Sequence, residues 1–228
     1  MIYEKTPQMG WSKSSEGWQL PEGLSERMES ALEMFNQYQA AIRQMSTRLE
    51  ILDDEFQLRH SRNPIHHMQS RLKTPQSMME KLKRKNMPQT IESALETLQD
   101  IAGIRVVCSY IHDVYALAEL IARQDDIVVV RQTDYIRAPK PNGYRSLHMI
   151  VRVPVFFSNR KEHIPVEIQI RTIAMDFWAS LEHELKYKME GELDTALSDE
   201  LRACSNEISK IDERMQKIAQ VIDASSRP

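Results

Sequence analysis

Val166-Glu167-Ile168-Gln169-Ile170-Arg171 alternates apolar and polar side chains without a break. Period two is the side-chain period of a β-strand, so Val166, Ile168 and Ile170 share one face and Glu167, Gln169 and Arg171 the other. The apolar face requires a core. The polar face is either a solvated outer surface, the commoner meaning of such a pattern, or the floor of a cleft with a carboxylate, an amide and a guanidinium in a row. Outward from this strand the chain carries further β-rich runs at Ser146 to Phe157, Ile127 to Ile136 and Ile104 to Tyr110. Helical patterns separate and follow them. Thr90 caps a short helix over 90–99, Asp113 caps one reaching Arg123, and another runs from about Ala174 to Lys188. Residues 64–86 read as a helix-loop-helix rich in Lys, Arg and Met. The expected fold is α/β (α+β), a mixed sheet of about five strands with flanking helices.

Long helices flank this centre. Met28, Phe35, Ile42, Leu49 and Phe56 fall seven apart, with Ala31, Tyr38, Met45 and Leu52 on the alternate seam. Near the other end, Leu201, Ile208, Met215 and Ile222 form one seam and Cys204, Ile211 and Ile218 a second. Stripes this narrow suit helix–helix packing, on each other or on another subunit. The expected organisation is a flexible arm over 1–23, an N-terminal helix over 24–60, a catalytic domain over 61–190 and an oligomerisation helix over 191–228.

The 228 residues are 41% hydrophobic and 28% charged with net charge −3, the composition of a globular protein and not of a basic coat for nucleic acid. Nucleic acid and membrane are not expected partners. No apolar run approaches the roughly 18 residues of a membrane span, and the N-terminus carries no signal-peptide pattern. Cys108 and Cys204 lack CxxC spacing, so neither a disulfide framework nor a zinc site is suggested, and both fall on apolar patterns that imply core. A cytoplasmic location is expected.

Three constellations carry chemistry. Pro139-Lys140-Pro141-Asn142-Gly143-Tyr144-Arg145-Ser146-Leu147-His148 holds cations for phosphate, an aromatic face for a base, hydrogen-bonding groups for a base edge and a glycine for close backbone approach. A plain basic turn would use the same Pro and Asn-Gly. Residues 71–85 contain six basic side chains against one acid, and Ser77, Lys81 and Arg84 share a helix face beside Arg71 and Lys73. That face suits a polyphosphate; a solvated basic helix is the usual alternative, and an RNA-facing patch a third. Asp100 stands just before the strand that Arg105 interrupts. A carboxylate there is a loop cap or a Mg²⁺ ligand, and Arg105 needs a partner or a plane to stack on. Glu167 on the polar strand face could serve as general base or second metal ligand. Neither GxxxxGK[ST] nor GxGxxG occurs, so neither a P-loop nor a Rossmann fingerprint binds the nucleotide.

In order, RLKTPQSMMEKLKRK, DIAGIRVV, DYIRAPKPNGYRSLH and VEIQIRTIAMDFWASLEHELKYK resemble the synthetase domain of RelA/SpoT-type alarmone synthetases from about Pro64 to Lys188. The short length resembles the single-domain small alarmone synthetases. The resemblance implies a nucleotidyltransferase-like fold that transfers pyrophosphate from ATP to the 3′-hydroxyl of GDP or GTP, with Mg²⁺ as cofactor. It implies that Arg71 and Arg105 sandwich adenine and that Lys73, Ser77, Lys81 and Arg84 hold the ATP phosphates. Asp100 would bind Mg²⁺, and Glu167 would bind Mg²⁺ or activate the acceptor hydroxyl. Tyr144 would stack on guanine near Asn142, His148 and Gln169, with Lys140 and Arg145 by its phosphates. The small members further imply a homotetramer that makes alarmone without degrading it. The rival expectations are a toxin-like relative that pyrophosphorylates the tRNA 3′ end and a non-catalytic helical RNA-binding adapter.

Overall fold

Five strands pair side by side in the order β1 (Ile65–Leu72), β2 (Ala102–Cys108), β5 (Lys161–Thr172), β4 (Leu147–Phe156) and β3 (Val128–Asp134). β2 and β5 run parallel, and the other three pairs are antiparallel. The computed structural model describes residues 24–60, 63–188 and 194–225, so the expected arm over 1–23 lies outside the described residues.

The alternating stretch forms the inner part of β5, with Val166, Ile168 and Ile170 at 0% exposure. Helix α1 (Leu24–His60) covers that face. Its Met34, Tyr38, Ala41, Ile42, Met45 and Leu49 join Ile104, Val106, Ile168 and Ile170 in one buried cluster, together with Val114, Leu117 and Ile121 of α4 (Ile111–Ala122). The heptad pattern correctly marks a helix but not its partner. Met34 and Ala41 widen the stripe enough to cover a sheet, and the sheet's apolar face gains most from that cover. Arg48 fixes the helix laterally with a fork on Asp126 at 2.7 and 2.6 Å.

Two further expectations need correction. Residues 65–72 are a strand, not the first half of a helix-loop-helix; helix α2 (Pro75–Arg84) begins only after Thr74 caps it. Ile65, Met68 and Leu72 imitate a helical spacing, but β2 has an open edge whose backbone groups β1 satisfies from Ile65↔Cys108 to Leu72↔Ala102. Asp113 does not cap α4: Tyr110 holds the cap position with no capping hydrogen bond from its side chain, and Asp113 is buried in the first turn. By contrast, Thr90 does cap α3 (Ile91–Thr97), accepting from the Ser93 amide at 3.2 Å.

Two helices close the chain. α5 (Ile173–Lys188) follows β5 directly, and α6 (Thr195–Ser225) packs on α5 and α4. The side that α6 turns inward carries Ser205 and Asp212, both buried, whereas Ile211, Met215, Ile218 and Ile222 are all more than half exposed. Cys204, expected in a core, is exposed for the same reason, while Cys108 is buried. Among the described residues, no helix is long and apolar enough to cross a membrane.

Candidate active site

The strand register aligns the polar face into two rows. Arg71 of β1 pairs with Gly103 of β2, which pairs with Glu167 of β5. One step along, Gln69, Arg105, Gln169 and His148 line up across β1, β2, β5 and β4. Alternation puts each of these side chains opposite the α1 side. Gly103 leaves room in the first row: a Cβ there would meet only Arg71, its Cγ at 3.8 Å and its carbonyl oxygen at 3.9 Å. The result is a cleft of about 580 Å³ walled on its far side by Ala179, Ser180, Glu182 and His183 of α5. Arg71, Asp100, Arg105, Tyr144, Glu167 and Gln169, all expected from the sequence, line it.

Asp100 is the electrostatic centre of one end. Lys73 Nζ and Lys81 Nζ both donate to its Oδ2 at 2.6 Å, one from just before α2 and one from its second turn. Burial raises the carboxyl pKa, but the two ammonium groups outweigh burial and hold it below the usual carboxylate range. Ser77 lies at the N-terminus of α2, where its amide and hydroxyl both meet Thr74 Oγ1, at 3.2 and 2.9 Å. Ser77 and Arg84 are exposed on α2 beside Lys81, outside the cleft lining. Arg105 is half-buried, reaches Asp176 only at 3.9 Å, and has a buried Nε without a hydrogen bond. An arginine so placed suits a planar ligand over its guanidinium.

At the other end, His148 Nδ1 lies 3.3 Å from Glu167 Oε1, and Gln169 Nε2 donates to Glu167 Oε2 at 2.8 Å. Burial raises the Glu167 pKa; His148 and Gln169 together pull it below its ordinary value, and Asp100 pushes it back only partly. The two carboxylates therefore feel each other across the same cleft. Magnesium asks for one or two protein carboxylates and takes its remaining ligands from phosphate and water, so Asp100 and Glu167 fit such an ion.

The loop 135–146 folds over this end. The Lys140 amide donates to the Tyr144 carbonyl at 3.1 Å, and Gly143, at φ +93°, closes the turn in a conformation that favours glycine. Asn142 accepts from the Tyr144 amide at 3.2 Å and donates to Glu182 at 3.0 Å, which pins the loop to α5. Tyr144 bonds His148 through its hydroxyl at 2.9 Å, and Lys140 lies 4.8 Å from its ring centroid. Arg145, expected beside the phosphates, lies elsewhere. Its guanidinium sits in the seam with α6, donating to Asn206 at 3.0 Å, and not on the cleft wall.

Gln69, Ser180, Glu182 and His183 escaped the sequence reading. Arg171 was noticed only as part of the polar row, yet it is 2% exposed, lies 3.3 Å from Asp176 and faces the Tyr144 ring at 6.0 Å. The signal for α5 is the polar pair Ser180-x-x-His183 on a helix whose Trp178 is buried.

Paired carboxylates beneath a basic helix, flanked by unstacked arginines, define a phosphate-handling nucleotide site. The region found in RelA/SpoT proteins matches residues 70–192, and the chain belongs to the RelA/SpoT family. It is 43% identical to the GTP pyrophosphokinase YwaC of Bacillus subtilis over 186 residues, 82% of this chain and 89% of that protein. It is 36% identical over 181 residues to the GTP pyrophosphokinase YjbM of the same organism, 79% of this chain and 84% of the relative. Its fold is similar to the small alarmone synthetase 1 of Bacillus subtilis bound to its product pppGpp, with TM-score 0.78, 34% identity, and coverage of 85% of this chain and 98% of that one.

Proposed function

We propose that this protein transfers pyrophosphate from ATP to the 3′-hydroxyl of GDP or GTP, forming guanosine tetra- or pentaphosphate. The observation that carries the reading is the convergence of Lys73 and Lys81 on Asp100, facing Glu167 across one cleft, with Arg71 and Arg105 at one end and Tyr144 at the other. Family membership and similarity to pyrophosphokinases and to a synthetase bound to pppGpp support it.

Arg71 and Arg105 hold the adenine between guanidinium planes. Lys73, Lys81, Ser77 and Arg84 bind the triphosphate, whose negative charge replaces Asp100 as the partner of the two lysines. Asp100 would hold Mg²⁺, which when bound would neutralise phosphate charge. Tyr144 stacks on guanine once Lys140 swings from its ring to the guanine nucleotide's phosphates, with Asn142, His148 and Gln169 at the base and ribose. Glu167, ionised at neutral pH, takes the proton of the 3′-hydroxyl. The 3′-oxygen forms its bond to the β-phosphorus of ATP, the bond from that phosphorus to the α,β-bridging oxygen breaks, and AMP leaves. Such a transfer needs alignment and charge neutralisation more than covalent help. The reading puts the protein in the cytoplasm, with its two nucleotides, as a homotetramer joined through the outward seam of α6.

The test is product analysis by thin-layer chromatography from ATP labelled in its β- and γ-phosphates, incubated with GDP, GTP or deacylated tRNA. Labelled guanosine tetra- and pentaphosphate with unlabelled tRNA is the expected result. Labelled tRNA, or no labelled nucleotide product, overturns the proposal.

A further inference from the structure

The inward side of α6 carries Ser205, Ser209 and Asp212 beside Ile208, and its polar groups meet the loop that carries Tyr144. Ser205 is 4% exposed, and its hydroxyl donates to the carbonyl oxygen of Gly143 at 2.6 Å. A Cβ on Gly143 would lie 2.8 Å from the Ser205 Cβ and 3.0 Å from its Oγ, so loop and helix are in closed contact. The next residue of α6, Asn206, accepts from Arg145 Nη2 at 3.0 Å. The residues immediately before and after Tyr144 are thus tied to consecutive positions of one helix. The helix is itself anchored: Trp178 Nε1 donates to the Leu201 carbonyl at 2.9 Å, and the Thr172 hydroxyl donates to Asp212 at 2.6 Å. These anchors come from α5 and the end of β5, the elements that also carry Glu182 and Glu167.

We infer that Ser205 and Asn206 are positioning residues for the guanine nucleotide, acting through Gly143 and Arg145 to hold Tyr144 where the base stacks. Gly143 leaves the backbone beside Tyr144 free to adopt many conformations, and two tethers flanking Tyr144 remove that freedom before the nucleotide arrives. The ATP end is organised separately, by Lys73 and Lys81 on Asp100, so the two substrates should respond differently when the tethers are cut. Arg145 is accordingly a tether of the loop in this structure and not a phosphate ligand. The inference rests on the proposed reaction in one respect, that Tyr144 receives guanine.

The experiment uses the full chain and three variants, Ser205→Ala, Asn206→Ala and Asn206→Asp, with GDP and ATP each varied at saturating concentration of the other. GDP affinity is also read by calorimetry without turnover. Loss of one hydrogen bond corresponds to roughly a 3- to 10-fold weakening. Ser205→Ala and Asn206→Ala are expected to raise the KM and Kd for GDP by that factor, with kcat and the KM for ATP changed less than about 2-fold. Asn206→Asp keeps an acceptor for Arg145 and is expected to restore the wild-type KM. Equal shifts for both nucleotides, a loss confined to kcat, or no shift would overturn the assignment. Wild-type protein that binds GDP but makes no alarmone would refute the reaction while the Kd values still judge the tethers; wild-type protein that does not bind GDP would refute both.

Discussion

Replacing Glu167 by Gln removes one negative charge and little else. The side chain keeps its length, and an amide oxygen can still accept from Gln169, which now donates at 2.8 Å. The contact to His148 at 3.3 Å loses its charge, costing roughly 1 kcal/mol. Burial of the carboxylate opposes that loss, because burying an ion is unfavourable and the neutral amide escapes the penalty. Folding stability should therefore change by less than about 1 kcal/mol, within a few degrees of Tm. Turnover should not escape so lightly. A positioned general base is worth about 10²–10⁴-fold, or roughly 3–5 kcal/mol of barrier. ATP should bind nearly as before, since Lys73, Lys81, Arg71 and Arg105 are untouched. The assay is initial-rate alarmone formation at saturating nucleotides, beside calorimetric titration of ATP. Turnover within 10-fold of wild type would remove Glu167 from the chemistry; turnover lost together with ATP binding would make its role that of phosphate or metal site, not base.

Tyr144→Ala should weaken the guanine nucleotide by roughly 1–3 kcal/mol, the worth of a base–aromatic stack, and leave ATP affinity nearly unchanged by calorimetry; equal losses would make the ring a prop of its loop. Asp100 and Glu167 both have folded-state pKa values below their ordinary ones, so the unfolded chain takes up their protons first. Their stabilisation is full above the unfolded-state values, near pH 4, and is lost as pH falls through the lower folded values. Asp100→Asn should flatten the acid limb of a Tm-against-pH curve, and an unchanged limb would count against the lysine pair on Asp100. Ile211 is 55% exposed, so Ile211→Asp should leave the fold intact and lower the mass measured by light scattering toward the 26.6 kDa monomer. A wild-type protein already at that mass at micromolar concentration would refute assembly through α6.

Sequence by itself determined the elements whose local pattern and final environment agree. The alternation at 166–171 became the inner part of β5 because a strand buried on one face must alternate, whichever strands it pairs with. Ser77, Lys81 and Arg84 were legible as one helix face because three- and four-residue spacing is set by the helix alone, and Asp100, Arg105 and Glu167 stood out as charges in apolar surroundings. Tertiary structure decided what depends on pairing across long separations. Residues 65–72 could have been helical on their spacing; the open edge of β2 made them a strand and so carried Arg71 and Gln69 to the polar face. The stripe of α1 named a helix, and only the uncovered apolar face of the sheet decided that it packs there and not on α6. Cys204 and Arg145 depended on which side α6 turns inward. Its apolar seam argued for one side, and hydrogen bonds that Ser205 donates to Gly143 and that Asn206 and Asp212 accept from Arg145 and Thr172 fixed the other. A buried polar group takes its partner from wherever the fold brings one within reach, and no period in the chain records that partner.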